Sequence, residues 1–162
     1  MMSRLKLFIA VFLLSIFVVV GASLSATLTV VAGNGTDLKQ KIEVNANPGD
    51  IIELPIGTYL VPSTIAWPNK DNITVRAMSS GGANSTNVII KPAVAISYGF
   101  VSHNYAVGLT MENVTITGFV SDSGGVFYSS STSSNVMLNN VILKGNTGVR
   151  GGSSLFWNPH VE

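Results

Sequence analysis

The sequence predicts an all-β fold, a right-handed parallel β-helix of about four to six rungs with a short capping helix at its N-terminal end. Three observations predict it. One segment recurs at a fixed spacing, each copy contains short alternating strands, and an asparagine interrupts the alternation in each copy. Together they indicate stacked copies of one β-rich unit.

The repeat is clearest in two segments, which begin at Met111 ("MENVTITGFVSDSGGVF") and at Leu138 ("LNNVILKGNTGVRGGSSLF"). Matched positions such as Asn113 and Asn140 are 27 residues apart. A partial copy, "NVIIK", begins at Asn87, 26 residues before Asn113. A fixed period of roughly 20–50 residues is typical of supersecondary units stacked into a solenoid.

Each copy contains β-branched residues in strict alternation, which predicts short strands. In the first copy Val114 and Ile116 are expected to point inward, and Thr115 and Thr117 outward. The second copy, "VILK", follows the same pattern. Because the repeat has no helical periodicity, the sequence argues against helical and leucine-rich repeats.

An asparagine is predicted at one corner of each rung. Met111 and Val114 are three residues apart, so strict alternation cannot bury both. An Asn in the left-handed region resets the phase, because Asn tolerates a positive φ better than other non-glycine residues. Stacked about 4.8 Å apart, Asn87, Asn113 and Asn140 are expected to form a ladder of side-chain amide hydrogen bonds.

The stretch "TDLKQKIEVNA" predicts the cap that a solenoid needs over its exposed end. Asp37 is expected to be the N-cap, with Gln40 in the capping-box position. Leu38 and Ile42 share one helix face, and Pro48 ends the helix. The following "GDIIELPIGTYLV" is then the first rung.

Residues 1–25 are predicted to be a secretory signal peptide, because Arg4 and Lys6 precede an apolar run from Leu7 to Ala22 and small residues follow. Cleavage fits after Ala22 or after Ser25. The alternative is an uncleaved membrane anchor, although the run is somewhat shorter than the ~20 residues of a typical span.

The β-helix domain is predicted to occupy residues 26–162. The next repeat would be due just beyond Glu162, so a C-terminally truncated domain is one interpretation of the sequence. The other is that Phe156 and Trp157 cover the open end of the last rung.

Charge and composition favour a secreted or cell-surface protein. Without Arg4 and Lys6, seven of the nine basic residues face eight acidic ones, so the mature chain has a net charge near −1 and gives no support to nucleic-acid binding. The chain has no Cys, so no disulfide stabilises it. After signal cleavage no membrane contact is expected.

Four segments match the N-glycosylation pattern, and chance matches are the alternative in a chain so rich in Asn, Ser and Thr. Asn34, Asn72 and Asn84 are the candidate glycosylation sites. Asn34 and Asn84 lie in loop-like sequence and are expected to be the better acceptors. Asn113 also matches, but its place in the ladder predicts that it is not modified.

The capping helix, "NPGDIIELPIGTY", "NITVRA" and "NVTITGF" together resemble the pectin-lyase-like superfamily of right-handed parallel β-helices. The later "LKGNTGVRGG" is similar to repeats of polymorphic outer membrane protein-like chains. The resemblance covers about residues 28–156. It implies the fold, but this fold includes lyases, hydrolases and non-catalytic adhesins.

The resemblance implies that a lyase would need acidic Ca²⁺ ligands with an Arg or Lys base, and that a hydrolase would need clustered Asp residues. Here the acidic residues are scattered: Asp37, Glu43, Asp50, Glu53, Asp71, Glu112, Asp122 and Glu162. No catalytic residue, metal site or cofactor is therefore predicted. Asp50 and Glu53 are interpreted as a turn residue and a solvated strand residue. Glu112 is expected to lie between Asn139 on one side and Ser85 or Thr86 on the other.

A weak binding face is predicted from the cations. Lys91, Thr117 and Lys144 each follow a repeat Asn by four residues, and Arg76 follows Asn72 likewise. If the rungs align, these cations share an outer face that suits an acidic polysaccharide, with ordinary solvated side chains as the alternative.

Two aromatic or titratable positions give weaker signals. Trp67 is suited either to stacking on a sugar or to covering a loop, and a lone His103 in a predicted loop is weak evidence for a site.

Two functions follow from the sequence. The first is a secreted, non-catalytic β-helix module with a surface, adhesive or glycan-contacting role. The alternative is the N-terminal part of a polysaccharide lyase or glycoside hydrolase acting on pectin-like substrates.

Overall fold

The computed structural model of this protein describes residues 24–67, 70–96, 99–103, 108–122, 125–129 and 135–148. The predicted signal peptide lies almost wholly outside these residues, as do Phe156 and Trp157. Within them the chain forms parallel sheets of very short strands, numbered here along the chain.

Three sheets run along the solenoid, and a fourth is a single pair of strands. Sheet A contains, in spatial order, β1 (Thr27–Thr29), β2 (Ile51–Leu54), β5 (Ile73–Ala77), β8 (Leu109–Glu112) and β12 (Val136–Asn139). Sheet B contains β3 (Gly57–Val61), β6 (Val88–Pro92), β9 (Thr115–Thr117) and β13 (Ile142–Lys144). Sheet C contains β4 (Ile65–Ala66), β7 (Val101–His103) and β11 (Phe127–Ser129). Sheet D pairs β10 (Val120–Ser121) with β14 (Thr147–Gly148).

Every pairing within these sheets is parallel, and each rung passes from sheet A to sheet B and onward before the next begins. The described residues thus form a parallel β-helix of about four rungs, which confirms the predicted fold class. Strand β1 lies outside β2 and extends sheet A by one strand before the capping helix.

The length of a rung varies along the solenoid. Ile51, Thr74, Thr110 and Met137 are stacked partners in sheet A, with separations of 23, 36 and 27 residues. In sheet A the predicted 27-residue period therefore describes only the last two rungs. In sheet B the predicted 26-residue spacing of the "NVIIK" copy is confirmed, because Ile89 pairs with Thr115. The second rung is longer partly because residues 78–87 form a loop between β5 and β6, and a loop can lengthen without disturbing the stacked strands.

The core consists of inward columns of apolar side chains, one residue from each rung. Val114 and Ile116 are fully buried, as predicted, while Thr115 and Thr117 are half-buried on the outside. In sheet A the column of Ile52, Val75 and Met111 is likewise fully buried. The rings of Phe100 and Phe119 lie 5.5 Å apart in a tilted arrangement, a favourable geometry for two aromatic rings.

The corner between sheets A and B confirms the asparagine prediction in two rungs. Asn113 and Asn140 have φ values of 56° and 51°. The Nδ2 of Asn140 donates to the Oδ1 of Asn113 at 2.8 Å. These two residues therefore turn the chain and connect neighbouring rungs.

The prediction for Asn87 is wrong, because its backbone is not left-handed. Its Oδ1 accepts from the Asn84 N–H at 2.7 Å, and its Nδ2 donates to the Gly82 carbonyl at 3.0 Å. The loop that precedes β6 provides these partners, so Asn87 closes that loop instead of joining the ladder.

A second left-handed column precedes sheet A. Gly49, Asn72 and Gly108 occupy equivalent positions in three successive rungs, and all have positive φ. A Cβ on Gly108 would lie 2.4 Å from the Asn72 Oδ1. The close stacking at this corner therefore requires glycine beside asparagine.

The capping segment is a helix, α1 (Gly35–Gln40), that continues as one π-helical turn, Lys41–Asn45. Leu38 and Ile42 are fully buried, as predicted. The prediction that Asp37 is the N-cap of this helix is wrong. The helix begins before Asp37, and its N-cap is Asn34.

The N-cap hydrogen bond runs from the Asp37 N–H to the Asn34 Oδ1 at 2.9 Å. The carboxylate of Asp37 instead accepts from the Val31 N–H at 2.7 Å and pairs with Lys41 at 3.0 Å. Desolvation alone raises the pKa of Asp37, but the Val31 hydrogen bond and the Lys41 ammonium outweigh it, so the pKa is lowered. A lowered pKa means that this carboxylate stabilises the cap above its unfolded-state pKa and loses that contribution on acidification through its folded-state pKa.

The capping segment also covers the outer edge of β4. The Glu43 Oε1 accepts from the Ala66 N–H at 2.7 Å, and the Lys39 Nζ donates to the Thr64 carbonyl at 2.9 Å. Lys39 and Glu43 also pair with each other. These two side chains occupy backbone groups that a neighbouring strand would otherwise pair with, and so protect the edge from aggregation.

We expect Ile42→Asp to unfold or aggregate the protein, because it places a charge in the fully buried contact between the cap and the first rung. The free energy of unfolding should fall by more than the roughly 2–5 kcal/mol that truncating a buried Ile to Ala costs. Val44→Asp is the matched control, because Val44 lies in the same turn but is 66% exposed. Thermal unfolding followed by circular dichroism measures the stability of both variants. Equal melting curves for Ile42→Asp and wild type would contradict the burial of Ile42 against the first rung.

Candidate functional site

The outer face of sheet A carries a column of polar side chains. Thr29, Glu53, Arg76, Glu112 and Asn139 are stacked partners in five neighbouring strands. They point outward because the alternating residues beside them fill the core. Side chains that are 23 to 36 residues apart in sequence therefore become neighbours.

Each charged side chain in this column has a hydrogen-bond partner within it. The Arg76 Nη2 and Nε donate to the Glu53 Oε1 at 2.8 and 3.1 Å, and the Glu53 side chain is only 13% exposed. The Glu112 Oε1 accepts from the Asn139 Nδ2 at 3.1 Å. The column is therefore a hydrogen-bonded polar ladder in which Arg76 lies between two carboxylates.

Two expectations for this face need correction. Glu53 was interpreted as a solvated strand residue, but it forms an ion pair with Arg76. Glu112 lies beside Asn139 as predicted, but the neighbour of Glu112 in the preceding rung is Arg76 and not Ser85 or Thr86. Ser85 and Thr86 belong to the 78–87 loop, which lies outside the stacked strands.

The Asp50 side chain is buried and bound to the backbone. It is 1% exposed, and its two carboxylate oxygens accept from the Ala26 and Asn47 N–H groups, each at 2.7 Å. This agrees with its interpretation as a turn residue. Across the residues that the structure describes, His, Cys, Asp and Glu form no group of three that could hold a metal ion.

The outer face of sheet B carries the predicted lysine column. Leu60, Lys91, Thr117 and Lys144 occupy equivalent outward positions in the four rungs. Both lysines are exposed. The prediction that the rungs align Lys91 with Lys144 is therefore confirmed, whereas Arg76 belongs to sheet A and not to this face.

The two lysines of sheet B differ from the other described cations. Lys39, Lys41 and Arg76 form ion pairs, and Lys70 donates to the carbonyls of Val44 and Ala46. No ion pair involves Lys91 or Lys144 within the described part of the chain. The four strands of sheet B also contain no Asp or Glu. The ammonium groups of Lys91 and Lys144 therefore have no acidic partner on that sheet.

The structure places Trp67 in the core and the backbone of His103 in a strand. Trp67 is 6% exposed and belongs to the core, so the sugar-stacking interpretation is wrong. His103 ends strand β7 and does not lie in a loop. Its side chain lies outside the described part of the structure.

An open groove of about 220 Å³ lies at the corner that contains β10. Ala95, Ile96, Val120, Ser121 and Asp122 line it. Asp122 is the only ionisable residue in this lining, so the described groove offers apolar contact and a single carboxylate.

The four glycosylation motifs occupy different environments. Asn84 is exposed in the 78–87 loop, and its Oδ1 accepts from the N–H and hydroxyl of Thr86 at 2.8 and 2.6 Å. Asn34 is the exposed N-cap of α1, and its amide nitrogen is not needed for the cap. Asn72 and Asn113 are left-handed corner residues.

Comparisons with known proteins do not add a function. No protein-family model, curated protein or solved structure matches the chain. The likeness to pectin-lyase-like proteins thus remains a prediction, whereas the strand pairing shows the parallel β-helix. In the described segments no helix has the length and hydropathy needed to cross a bilayer.

Sequence reasoning missed the Glu53–Arg76 pair, although a signal for it exists. "IIEL" and "TVRA" are alternating runs in which Glu53 and Arg76 hold the same position. A fixed 27-residue spacing hides this match because the two residues are only 23 apart.

We expect glycosylation at Asn84 and none at Asn113 when the protein is secreted by a glycosylating host. A glycan on Asn84 projects from an exposed loop, whereas one on Asn113 would crowd the amide contact with Asn140. Glycopeptide mapping measures the occupancy, and Asn84→Gln is the control that should remove the modified peptide. High occupancy at Asn113 in folded protein would contradict the corner assignment.

Proposed function

We propose that this chain is a secreted, non-catalytic parallel β-helix module that contacts acidic glycans through the outer face of sheet B. The observation that supports the proposal is the alignment of Lys91 and Lys144 in one exposed column. Carboxylated and sulfated sugars are ligands of the matching charge. The resemblance to β-helix adhesins agrees with such a role.

Secretion is supported by the sequence. The basic, apolar and small residues of segment 1–25 follow the order of a signal peptide. The strand faces carry mainly hydroxyl, amide and aliphatic groups, and charged residues make up only 10% of the chain. Such a module would meet extracellular or cell-surface polysaccharide.

The contact is expected to be weak and dependent on salt. An exposed ion pair contributes about 0.2–1 kcal/mol because water screens it. At physiological ionic strength the screening length is about 8 Å. Useful affinity therefore needs both lysines or several copies of the module on one surface.

We expect the double variant Lys91→Ala, Lys144→Ala to lose most of the binding to polygalacturonate, because it removes both cations from sheet B. The control is Lys41→Ala, Lys70→Ala, which removes the same charge outside sheet B. Binding is measured by affinity electrophoresis at increasing salt, and unfolding curves show whether each variant folds. Equal binding by wild type and by the Lys91→Ala, Lys144→Ala variant would contradict the proposal.

The second candidate is the N-terminal part of a polysaccharide lyase or glycoside hydrolase. The column of Glu53, Arg76 and Glu112 supports it, because an Arg can neutralise a uronate carboxylate and a Glu can transfer a proton. However, Arg76 is bound to Glu53 and Glu112 is bound to Asn139. Both side chains therefore already have a partner within the column, which disfavours this candidate.

We expect the purified chain not to cleave polygalacturonate, with or without Ca²⁺, because elimination needs a cation at the carboxylate and a base within reach of the α-proton. Ultraviolet absorbance of unsaturated products measures the reaction. Product formation by the wild-type chain that Glu112→Gln abolishes would instead establish the lyase.

A further inference from the structure

The lysine column of sheet B is a straight line of equivalent positions along the solenoid axis. Neighbouring strands lie about 4.8 Å apart. Lys91 and Lys144 are two rungs apart, with Thr117 between them and Leu60 one rung before. The two ammonium groups are thus attached at backbone positions about 10 Å apart along this axis.

The positive charge is only one residue wide. The parallel outward column on the same sheet contains Thr58, Ile89, Thr115 and Ile142. None of these carries a charge, so sheet B presents a line of cations flanked by hydroxyl and aliphatic groups. Sheet A presents a different surface, in which Arg76 is bound to Glu53.

We propose that the ligand of this face is a linear anionic glycan that lies parallel to the solenoid axis, with successive carboxylate or sulfate groups at Lys91 and Lys144. This inference rests on the proposed function and adds the form and direction of the ligand. Lysine side chains that extend side by side from positions about 10 Å apart match the spacing of successive anionic groups on one chain. When two groups of one chain bind, the second contact forms at a high effective concentration.

The chemistry of the face favours a glycan over a single-stranded nucleic acid. Proteins that bind single strands without sequence preference stack the bases on aromatic side chains. The outward positions of the sheet B strands hold Thr, Leu, Ile and Lys and no aromatic residue. Thr117 offers a hydroxyl between the lysines, where it can bond a sugar hydroxyl.

The direction of the ligand can be tested with two single variants, each of which adds one lysine to strand β3. Leu60→Lys extends the column by one rung, whereas Thr58→Lys adds the same charge on β3 in the neighbouring column. Both positions are exposed, and Leu60 is 47% exposed, so both variants should fold. An axial ligand gains a third contact only from Leu60→Lys.

The experiment measures binding to polygalacturonate and to a sulfated glycan by titration calorimetry at several salt concentrations. Leu60→Lys should tighten binding about two- to fivefold, the gain of one exposed ion pair. The slope of log K against log salt should steepen by somewhat less than one unit, as for one added contact to a polyanion. Thr58→Lys should change both quantities less. The two glycans distinguish a carboxylate ligand from a sulfate ligand.

The outcomes separate this inference from the proposed function. Equal gains from Leu60→Lys and Thr58→Lys, together with lost binding in the Lys91→Ala, Lys144→Ala variant, would overturn the axial arrangement and leave the glycan-binding module in place. No binding by the wild-type chain would overturn the proposed function itself. Tighter binding to single-stranded polythymidylate than to either glycan would overturn the choice of a glycan.

Discussion

The in-register parallel pairing of successive rungs is the constraint on which this structure depends. It places each residue directly beside its equivalents in neighbouring rungs, so the fold is a set of side-chain columns. Ile52, Val75 and Met111 form one such column inside, and Glu53, Arg76 and Glu112 form another outside. A change in register by one residue would exchange the two sets and expose the core. Burial of the inner columns therefore determines the order of groups on the outer faces.

The corners maintain this register at a cost in backbone conformation. Asn113 and Asn140 adopt positive φ, which lets apolar residues on both sides of the corner point inward. The hydrogen bond between their amides links the rungs at the position where the strands end. At the other corner Gly49, Asn72 and Gly108 share the same conformation. Both columns use residues that tolerate the left-handed region, so the corner chemistry follows from sterics.

The N-terminal end of the solenoid is closed by both apolar and polar contacts. Leu38 and Ile42 cover the core, while Lys39 and Glu43 occupy the backbone groups at the edge of β4. The charged residues of the cap and of sheet A are consequently engaged within the molecule. Lys91 and Lys144 are not engaged in this way, and this difference makes sheet B the face from which a binding role is proposed.

The sequence by itself determined the architecture, because alternation, a fixed repeat and corner asparagines are local patterns that one register satisfies. It determined the burial of Leu38 and Ile42 and the alignment of Lys91 with Lys144 for the same reason. Only the tertiary structure decided the pairing of Arg76 with Glu53, the N-cap at Asn34 and the local role of Asn87. Those outcomes depend on how many residues each loop inserts between stacked strands and on which polar partner lies closest, and a repeat pattern fixes neither.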